Sequence, residues 1–144
     1  MASPTELGPC TAVNERVKSL IQAASEAKEK AYCPYSNFRV GAALLTEDDS
    51  IITGCNVENC SLGGTICAER TAMVKAVSEG KKSFKAIAIA SDEKDKIAPC
   101  GICRQFMVEF GTDWDVYLTS NDGSFEKMTV SQLLPVAFKP SHLK

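Results

Sequence analysis

The sequence predicts an α/β protein, a three-layer α-β-α sandwich around a five-stranded mixed sheet whose last two strands are antiparallel. Helical and extended apolar patterns alternate in the order α-β-β-α-β-α-β-β-α, which places the sheet between layers of helix. Asp122 and Gly123 separate the final two apolar runs, and this pair is a strong tight-turn signal. The length of 144 residues suits one domain, 1–144.

The first half of the chain is predicted to form a helix and a hairpin. Residues 1–10 are a polar leader, and residues 11–30 carry apolar side chains at helical spacing between charged ones. The pattern breaks at 33–37, because Pro34 restricts its own backbone and that of its predecessor. Short apolar runs at 39–46 and 51–56, separated by four polar residues, predict two paired strands.

The second half adds two helices, three strands and a closing helix. The predicted helices at 66–79 and 100–110 are each followed by a glycine, and an apolar run at 84–91 lies between them as a buried strand. The chain ends with strands at 116–119 and 124–129, a short helix at 130–134 and an irregular tail at 135–144.

Charge and cysteine content restrict the expected partners and compartment. Lys plus Arg number 16 and Asp plus Glu 18, for a net charge of −2 without a basic cluster, so nucleic acid is not an expected partner. No apolar stretch approaches the ~18 residues of a membrane span, so no membrane partner is expected. Seven cysteines, an odd number, without a secretory leader indicate reduced thiols in the cytoplasm, with nuclear entry left open.

Two short segments carry the chemistry: CAER at 67–70 and PCGICR at 99–104. Both fall in the first turn of a predicted helix, where free N–H groups and the helix dipole favour thiolate. Cys100 and Cys103 are three residues apart and can grip one ion. Because no second Cys/His pair is present, Cys67 is the economical third ligand, which gives one Zn²⁺ per chain with its fourth position open to water.

Charged neighbours complete this predicted zinc site. Glu69 follows Cys67 by two residues and can move a proton from zinc-bound water to a leaving group. Three thiolates with Zn²⁺ carry a net charge of −1, and Arg70 and Arg104 are predicted to offset it by hydrogen bonding to sulfur. The same pattern is the signature of zinc-dependent deaminases, with Cys67 where histidine is the commoner first ligand.

The chain closely resembles the cytidine deaminases of the small homotetrameric type. The matching stretches are AYCPYSNFRVGAALL at 31–45, GCNVEN at 54–59, ICAERTA at 66–72, APCGICRQ at 98–105 and EFG at 109–111. The resemblance implies the cytidine deaminase fold, a homotetramer and a place in pyrimidine salvage. It also implies hydrolysis of cytidine and deoxycytidine to uridine and deoxyuridine with release of ammonia.

The resemblance also implies roles for individual residues, which are the following: zinc ligation by Cys67, Cys100 and Cys103; proton transfer by Glu69; binding of the ribose hydroxyls by Asn56 and Glu58; packing on the pyrimidine ring by Phe38; reading of the base edge by the backbone of Ala68; and contact with active sites across subunits by Tyr35 and Phe138. In one departure, Leu62 stands where the family usually has a tyrosine near a neighbouring subunit's site. The remaining cysteines are expected to be small buried or half-buried thiols, namely Cys10, Cys33, Cys55 and Cys60. His142 is expected to be a solvated tail residue.

Several alternatives stay open at this point. Deaminases of nucleic-acid bases have a helix between the fourth and fifth strands, whereas only about five residues separate the predicted runs here. A related alternative is a deaminase of another free cytosine compound such as blasticidin S, although Asn56 and Glu58 favour a ribose. Other classes are a zinc-stabilised module without catalysis, which leaves Glu69 unexplained, and a thiol redox protein using Cys100 and Cys103.

Overall fold

Five strands form one sheet within residues 11–144, the part of the chain that this computed structural model describes, with side chains described from residue 15 onward. The strands are β1 (Val40–Thr46), β2 (Ile51–Cys55), β3 (Phe84–Ser91), β4 (Asp115–Thr119) and β5 (Phe125–Thr129). Their order is β2-β1-β3-β4-β5. Only the β3–β4 pair is parallel, and the β1–β2, β1–β3 and β4–β5 pairs are antiparallel. The predicted mixed sheet with an antiparallel last hairpin is therefore confirmed.

The helices agree with the predicted order and differ at their ends. They are α1 (Thr11–Lys28), α2 (Ala68–Ser78), α3 (Gly101–Val108) and α4 (Val130–Leu133), with 3₁₀ turns at Leu62–Gly64 and Pro140–His142. Helix α1 stops two residues before the predicted end, because Glu29 and Lys30 bond to carbonyls three residues back and close a turn. Among the described residues, no helix has both the length and the apolar character needed to cross a membrane.

The tail differs from the irregular segment predicted from 135 onward. Pro140 opens a 3₁₀ turn, and Nδ1 of His142 accepts a hydrogen bond from the Lys139 amide at 3.0 Å. The rings of Phe138 and His142 lie 5.5 Å apart. His142 is exposed, as predicted, and it also caps this turn, a contact that the prediction of a solvated tail residue did not include.

The core lies on both faces of the sheet, as the three-layer prediction requires. Alternate residues of β1 point to opposite faces, so Ala43 and Leu45 pack with α1 while Ala42 and Leu44 pack with α2 and α3. The α1 side is completed by a buried set that includes Leu20, Ala24, Ala88 and Tyr117. The other side is completed by a larger buried set that includes Met73, Ile87, Met107 and Val116.

Two glycines let helices approach the sheet closely. A Cβ atom at Gly41 would lie 2.2 Å from the carbonyl oxygen of Ala24 in α1, and one at Gly54 would lie 2.5 Å from the amide nitrogen of Ala72 in α2. No side chain fits at either distance. Gly54 therefore sets how closely α2, the helix that follows Cys67, packs against β2.

The topology brings the starts of α2 and α3 to one edge of the sheet. Strands β2 and β3 are both antiparallel to β1, so they run in the same direction and end at the same edge. Helix α2 follows β2 and helix α3 follows β3. Segments that leave the carboxyl ends of parallel-running strands meet at one edge, which is where α/β proteins place their ligands.

Candidate active site

Three cysteine sulfurs converge where α2 and α3 begin. Cys67 is the N-cap of α2, Cys100 is the N-cap of α3, and Cys103 is the third residue of α3. Their Sγ atoms all lie within 4.8 Å of one another, and those of Cys67 and Cys100 are 3.8 Å apart. Sulfurs held tetrahedrally at about 2.3 Å from zinc are themselves about 3.8 Å apart. The cluster therefore fits one zinc ion.

Two of the three cysteines lie one position before the helical turn in which they were predicted. Cys67 and Cys100 precede their first helical turns instead of lying within them, because both have extended backbones, with ψ angles of 155° and 170°. Neither side chain makes a capping bond to its own helix. Each sulfur stays available to a metal while it remains beside the positive end of a helix dipole.

Electrostatics favour thiolate at Cys67. A hydrogen bond from Cys103, with further support from Arg70 and Cys100, lowers the pKa of Cys67 to about 5. The same pairing with Cys67, together with burial, raises the pKa of the Cys103 thiol. Cys67 is therefore the thiolate of the pair, and Cys103 keeps its proton and donates it in a hydrogen bond to Cys67. A zinc ion bound by both sulfurs would replace that proton.

The two arginines next to the ligands have different partners. Arg70 donates from Nη2 to the Cys67 sulfur at 3.4 Å, as predicted. Arg104 donates instead to the carbonyl oxygens of Pro99 and Leu133, both at 2.7 Å. The prediction that Arg104 bonds to a ligand sulfur is therefore wrong, because those two carbonyls take its guanidinium and join the start of α3 to the end of α4.

Glu69 is the buried acid of the site. It is the second residue of α2 and only 4% exposed. Burial, with the charge of Cys67 adding to it, raises the pKa of Glu69 to about 7. A carboxyl group with a pKa near neutrality can both take up and release a proton under physiological conditions. Ala68, directly before it, is fully buried at the start of the same helix.

Backbone pairing brings the predicted ribose-binding segment beside the metal ligands. Val57 exchanges two hydrogen bonds of 2.9 Å with Ile66, the residue before Cys67. On its other side, Val57 forms a parallel bridge with Tyr32. Asn56 and Glu58, which flank Val57, therefore lie between the segment that carries Phe38 and the segment that carries the first ligand.

Asn56 holds the segment that carries Phe38. Its Nδ2 donates to the Phe38 carbonyl at 2.8 Å, and its Oδ1 accepts from the Val40 amide at 2.9 Å. The side chain is 8% exposed. Only one N–H and one lone pair of this amide remain for a ligand.

Glu58 is half-buried and holds the preceding turn. Its Oε1 accepts from the amides of Tyr35 and Ser36 at 3.0 and 3.2 Å, and its Oε2 accepts from the Ser36 hydroxyl. These hydrogen bonds lower the pKa of Glu58, and the bond from the Ser36 side chain has the largest effect. Ser36 had no predicted role, although a serine in a turn that contains a proline commonly bonds to nearby groups, which was a usable signal.

The predicted inter-subunit residues are exposed in the single chain. Tyr35 is 54% exposed and Phe138 55%. The Phe138 carbonyl accepts a bond of 2.9 Å from Gln105, which holds the tail against α3. Leu62, at the position of the family tyrosine, is 71% exposed in its 3₁₀ turn.

The burial of the other described cysteines agrees with the prediction at two positions and differs at one. Cys33 and Cys55 are half-buried, as predicted. Cys60 is exposed, contrary to prediction, because it lies in the loop before the exposed Leu62 and belongs to neither buried core cluster. Cys10 lies outside the described residues.

Comparison with known proteins gives a consistent result. Residues 14–119 match the family model described as "Cytidine and deoxycytidylate deaminase zinc-binding region". A probable cytidine deaminase of Dictyostelium discoideum is 55% identical over 130 residues, covering 90% of this chain and 88% of that protein. The crystal structure of cytidine deaminase from Burkholderia pseudomallei superposes with a TM-score of 0.81 at 50% identity, covering 83% of this chain and 97% of that one. A blasticidin-S deaminase of Bacillus cereus is 31% identical over 134 residues, covering 88% of this chain and 94% of that protein.

Proposed function

Because the chain belongs to the cytidine and deoxycytidylate deaminase family, a family of zinc-dependent hydrolases, we propose that it hydrolyses cytidine and deoxycytidine to uridine and deoxyuridine with release of ammonia. One observation carries the proposal. The sulfurs of Cys67, Cys100 and Cys103 converge within 4.8 Å of one another, next to the buried Glu69. A closed structural zinc site has four protein ligands, whereas three ligands leave a position for water.

Glu69 would move the protons of the reaction. The chemistry that zinc supplies when bound is Lewis acidity, which makes water nucleophilic at neutral pH. The Glu69 carboxylate takes a proton from the attacking water as the oxygen adds to C4 of the ring and N3 becomes protonated. Glu69 passes that first proton to N3. It then takes the remaining proton from the hydroxyl on C4 and delivers it to the departing amino group, so C4 becomes a carbonyl, one water is consumed and one ammonia leaves. Its pKa of about 7 suits both directions of transfer.

The neighbouring residues would bind the nucleoside. Asn56 and Glu58 would bind the ribose hydroxyls, Glu58 as an acceptor since hydrogen bonds to the carboxylate keep its pKa low. Phe38, on the segment held by Asn56, would pack on the pyrimidine ring, and the backbone of Ala68 would read its edge. Arg70 would offset the negative charge of the three thiolates through its bond to Cys67.

We also propose that the chain assembles as a homotetramer in the cytoplasm. Tyr32, Val57 and Ile66 lie side by side through their backbone bridges and are 56%, 41% and 38% exposed. An exposed apolar stripe of this kind favours burial against another protein surface. Tyr35 and Phe138 are also exposed and could reach a neighbouring copy's site. The six described cysteines are free, as expected in a reducing compartment.

Ultraviolet absorbance during incubation with cytidine tests the proposed reaction. Deoxycytidine, free cytosine, blasticidin S and a cytosine-containing oligonucleotide are run beside it, and bound zinc is measured on the same preparation. Turnover of cytidine and deoxycytidine with one zinc per chain supports the proposal. Turnover of blasticidin S or the oligonucleotide with none of cytidine would contradict the substrate assignment. Gel filtration with light scattering measures the assembly, and a monomer would contradict the tetramer.

A further inference from the structure

The Ser36 hydroxyl joins two residues of the proposed nucleoside site. It donates to Oε2 of Glu58 and accepts a hydrogen bond of 3.0 Å from the amide of Phe38. A hydroxyl has a single donor hydrogen, and here that hydrogen is used on the carboxylate. The sugar-binding acid and the ring-packing aromatic are therefore linked through one side chain.

The turn between these residues is held from both ends. The amides of Tyr35 and Ser36 donate to Oε1 of Glu58, while the carbonyl of Phe38 accepts from Asn56. Asn37, between Ser36 and Phe38, has a φ of 58°, a left-handed conformation that few residue types adopt without strain. The bonds at both ends keep the chain in this conformation. Among the described contacts of the turn, only the Ser36 side chain bonds to both Glu58 and Phe38.

These contacts orient the Glu58 carboxylate. Three donors, two on Oε1 and one on Oε2, come from one side of the group, the turn at residues 35 and 36. A carboxylate offers about four lone-pair sites, so acceptor capacity remains for a ligand hydroxyl. Without the Ser36 hydroxyl, Oε2 has no protein donor among the described residues, and rotation of the carboxylate becomes less restricted.

We propose that Ser36 is a positioning residue that aims the Glu58 carboxylate at the sugar hydroxyls. The inference rests on the proposed function and adds a residue to its binding machinery. Ser36 acts through Glu58, so its effect should depend on whether the substrate has hydroxyls for Glu58 to bind.

Steady-state kinetics of Ser36→Ala and Ser36→Thr on cytidine and on 2′,3′-dideoxycytidine test this dependence. We expect Ser36→Ala to raise KM for cytidine about tenfold, the loss expected for one hydrogen bond to a charged group, with kcat changed less than about threefold. Ser36→Thr retains the hydroxyl and should return KM to within about threefold of the natural chain. The KM for dideoxycytidine, which lacks both hydroxyls, should change less than about threefold in either variant.

Ser124→Ala provides a matched control. Ser124 is also exposed and donates its hydroxyl to a carboxylate, that of Asp122 at 2.6 Å, but it lies in the β4–β5 turn. Ser124→Ala should leave the KM for both substrates unchanged. The thermal unfolding midpoints of Ser36→Ala and Ser124→Ala should be the same. An equal rise in KM for both substrates, or an unchanged KM for cytidine, would overturn the role of Ser36. If the natural chain does not turn over cytidine, the proposed function itself fails and the role of Ser36 falls with it.

Discussion

Arg70 donates a hydrogen bond of 3.4 Å to the sulfur of Cys67, the proposed metal ligand three residues before it on the same helix start. The geometry follows from the helix, which places residues three apart on one face. This hydrogen bond, with the nearby thiolate charge adding to it, raises the pKa of Arg70. The bond from Cys103 first, and then the one from Arg70, lower the pKa of Cys67. We therefore expect Arg70 to offset the negative charge of the thiolate cluster when zinc is bound.

Replacing Arg70 should weaken zinc binding. Arg70→Gln removes a positive charge from beside the ligands, and loss of such an outer partner typically lowers metal affinity about 10–100-fold. Competition with a chelating dye measures this change. Arg104→Gln is the control, since Arg104 bonds to carbonyls and not to sulfur. It should lower the free energy of unfolding by about 1–3 kcal/mol with little change in zinc affinity. The reverse pattern would contradict the assignment.

Glu69→Gln should abolish turnover while zinc remains bound. The amide has nearly the same shape but cannot take a proton from water, so we expect kcat to fall by at least ~10³-fold. Initial rates with cytidine and zinc content by mass spectrometry are measured on the same sample. Substantial residual activity would show that another group moves the proton. Loss of zinc as well would mean that Glu69 serves the metal site structurally.

A methyl group at Gly54 should disturb both the fold and the site. The added Cβ would lie 2.5 Å from the Ala72 amide nitrogen, so α2 must move away from β2. Overpacking of this kind costs about 1–3 kcal/mol or more, and displacement of α2 carries Cys67 and Glu69 with it. Urea unfolding and zinc content should therefore both change in Gly54→Ala. Gly63→Ala, where a Cβ meets nothing within 4 Å, is the control and should leave both nearly unchanged.

Acid should destabilise the chain partly through Asp92. Its carboxylate accepts from the backbone and guanidinium of Arg39 and lies 3.5 Å from Nζ of Lys28. The side-chain bond from Arg39, above all, lowers the pKa of Asp92 from 3.8 to about 2 in the folded state. The stabilisation is therefore complete above the unfolded pKa and is lost as pH falls through the window between 3.8 and about 2.

Asp92→Asn isolates this contribution. Urea unfolding of both proteins should show a difference on the order of 1 kcal/mol near pH 7, after allowance for solvent screening, that shrinks steadily below about pH 4. A difference that stays constant down to pH 2.5, or grows with acid, would show that the pairing of Asp92 with Arg39 does not stabilise the fold through its charge.

Local sequence was sufficient to predict the secondary-structure elements and the cluster of three cysteines. Apolar spacing and turn residues predicted the order of helices and strands to within a few residues at each boundary, because helix and strand periodicity are written within a single segment. The cysteine cluster was equally readable, since Cys100 and Cys103 share one helix start and Cys67 stands at another. Segment order then implied the mixed sheet, which brings those two starts to one edge.

Packing decided which distant groups each side chain meets. Arg104 bonds to Leu133, 29 residues away, and Ser36 bonds to Glu58, 22 residues away, and neither partner can be read from its neighbours in sequence. The burial that raises the pKa of Glu69 likewise exists only once α2 packs against the sheet. A chain's local pattern records the preferences of its backbone, whereas contacts across 20 or more residues depend on how whole elements pack together.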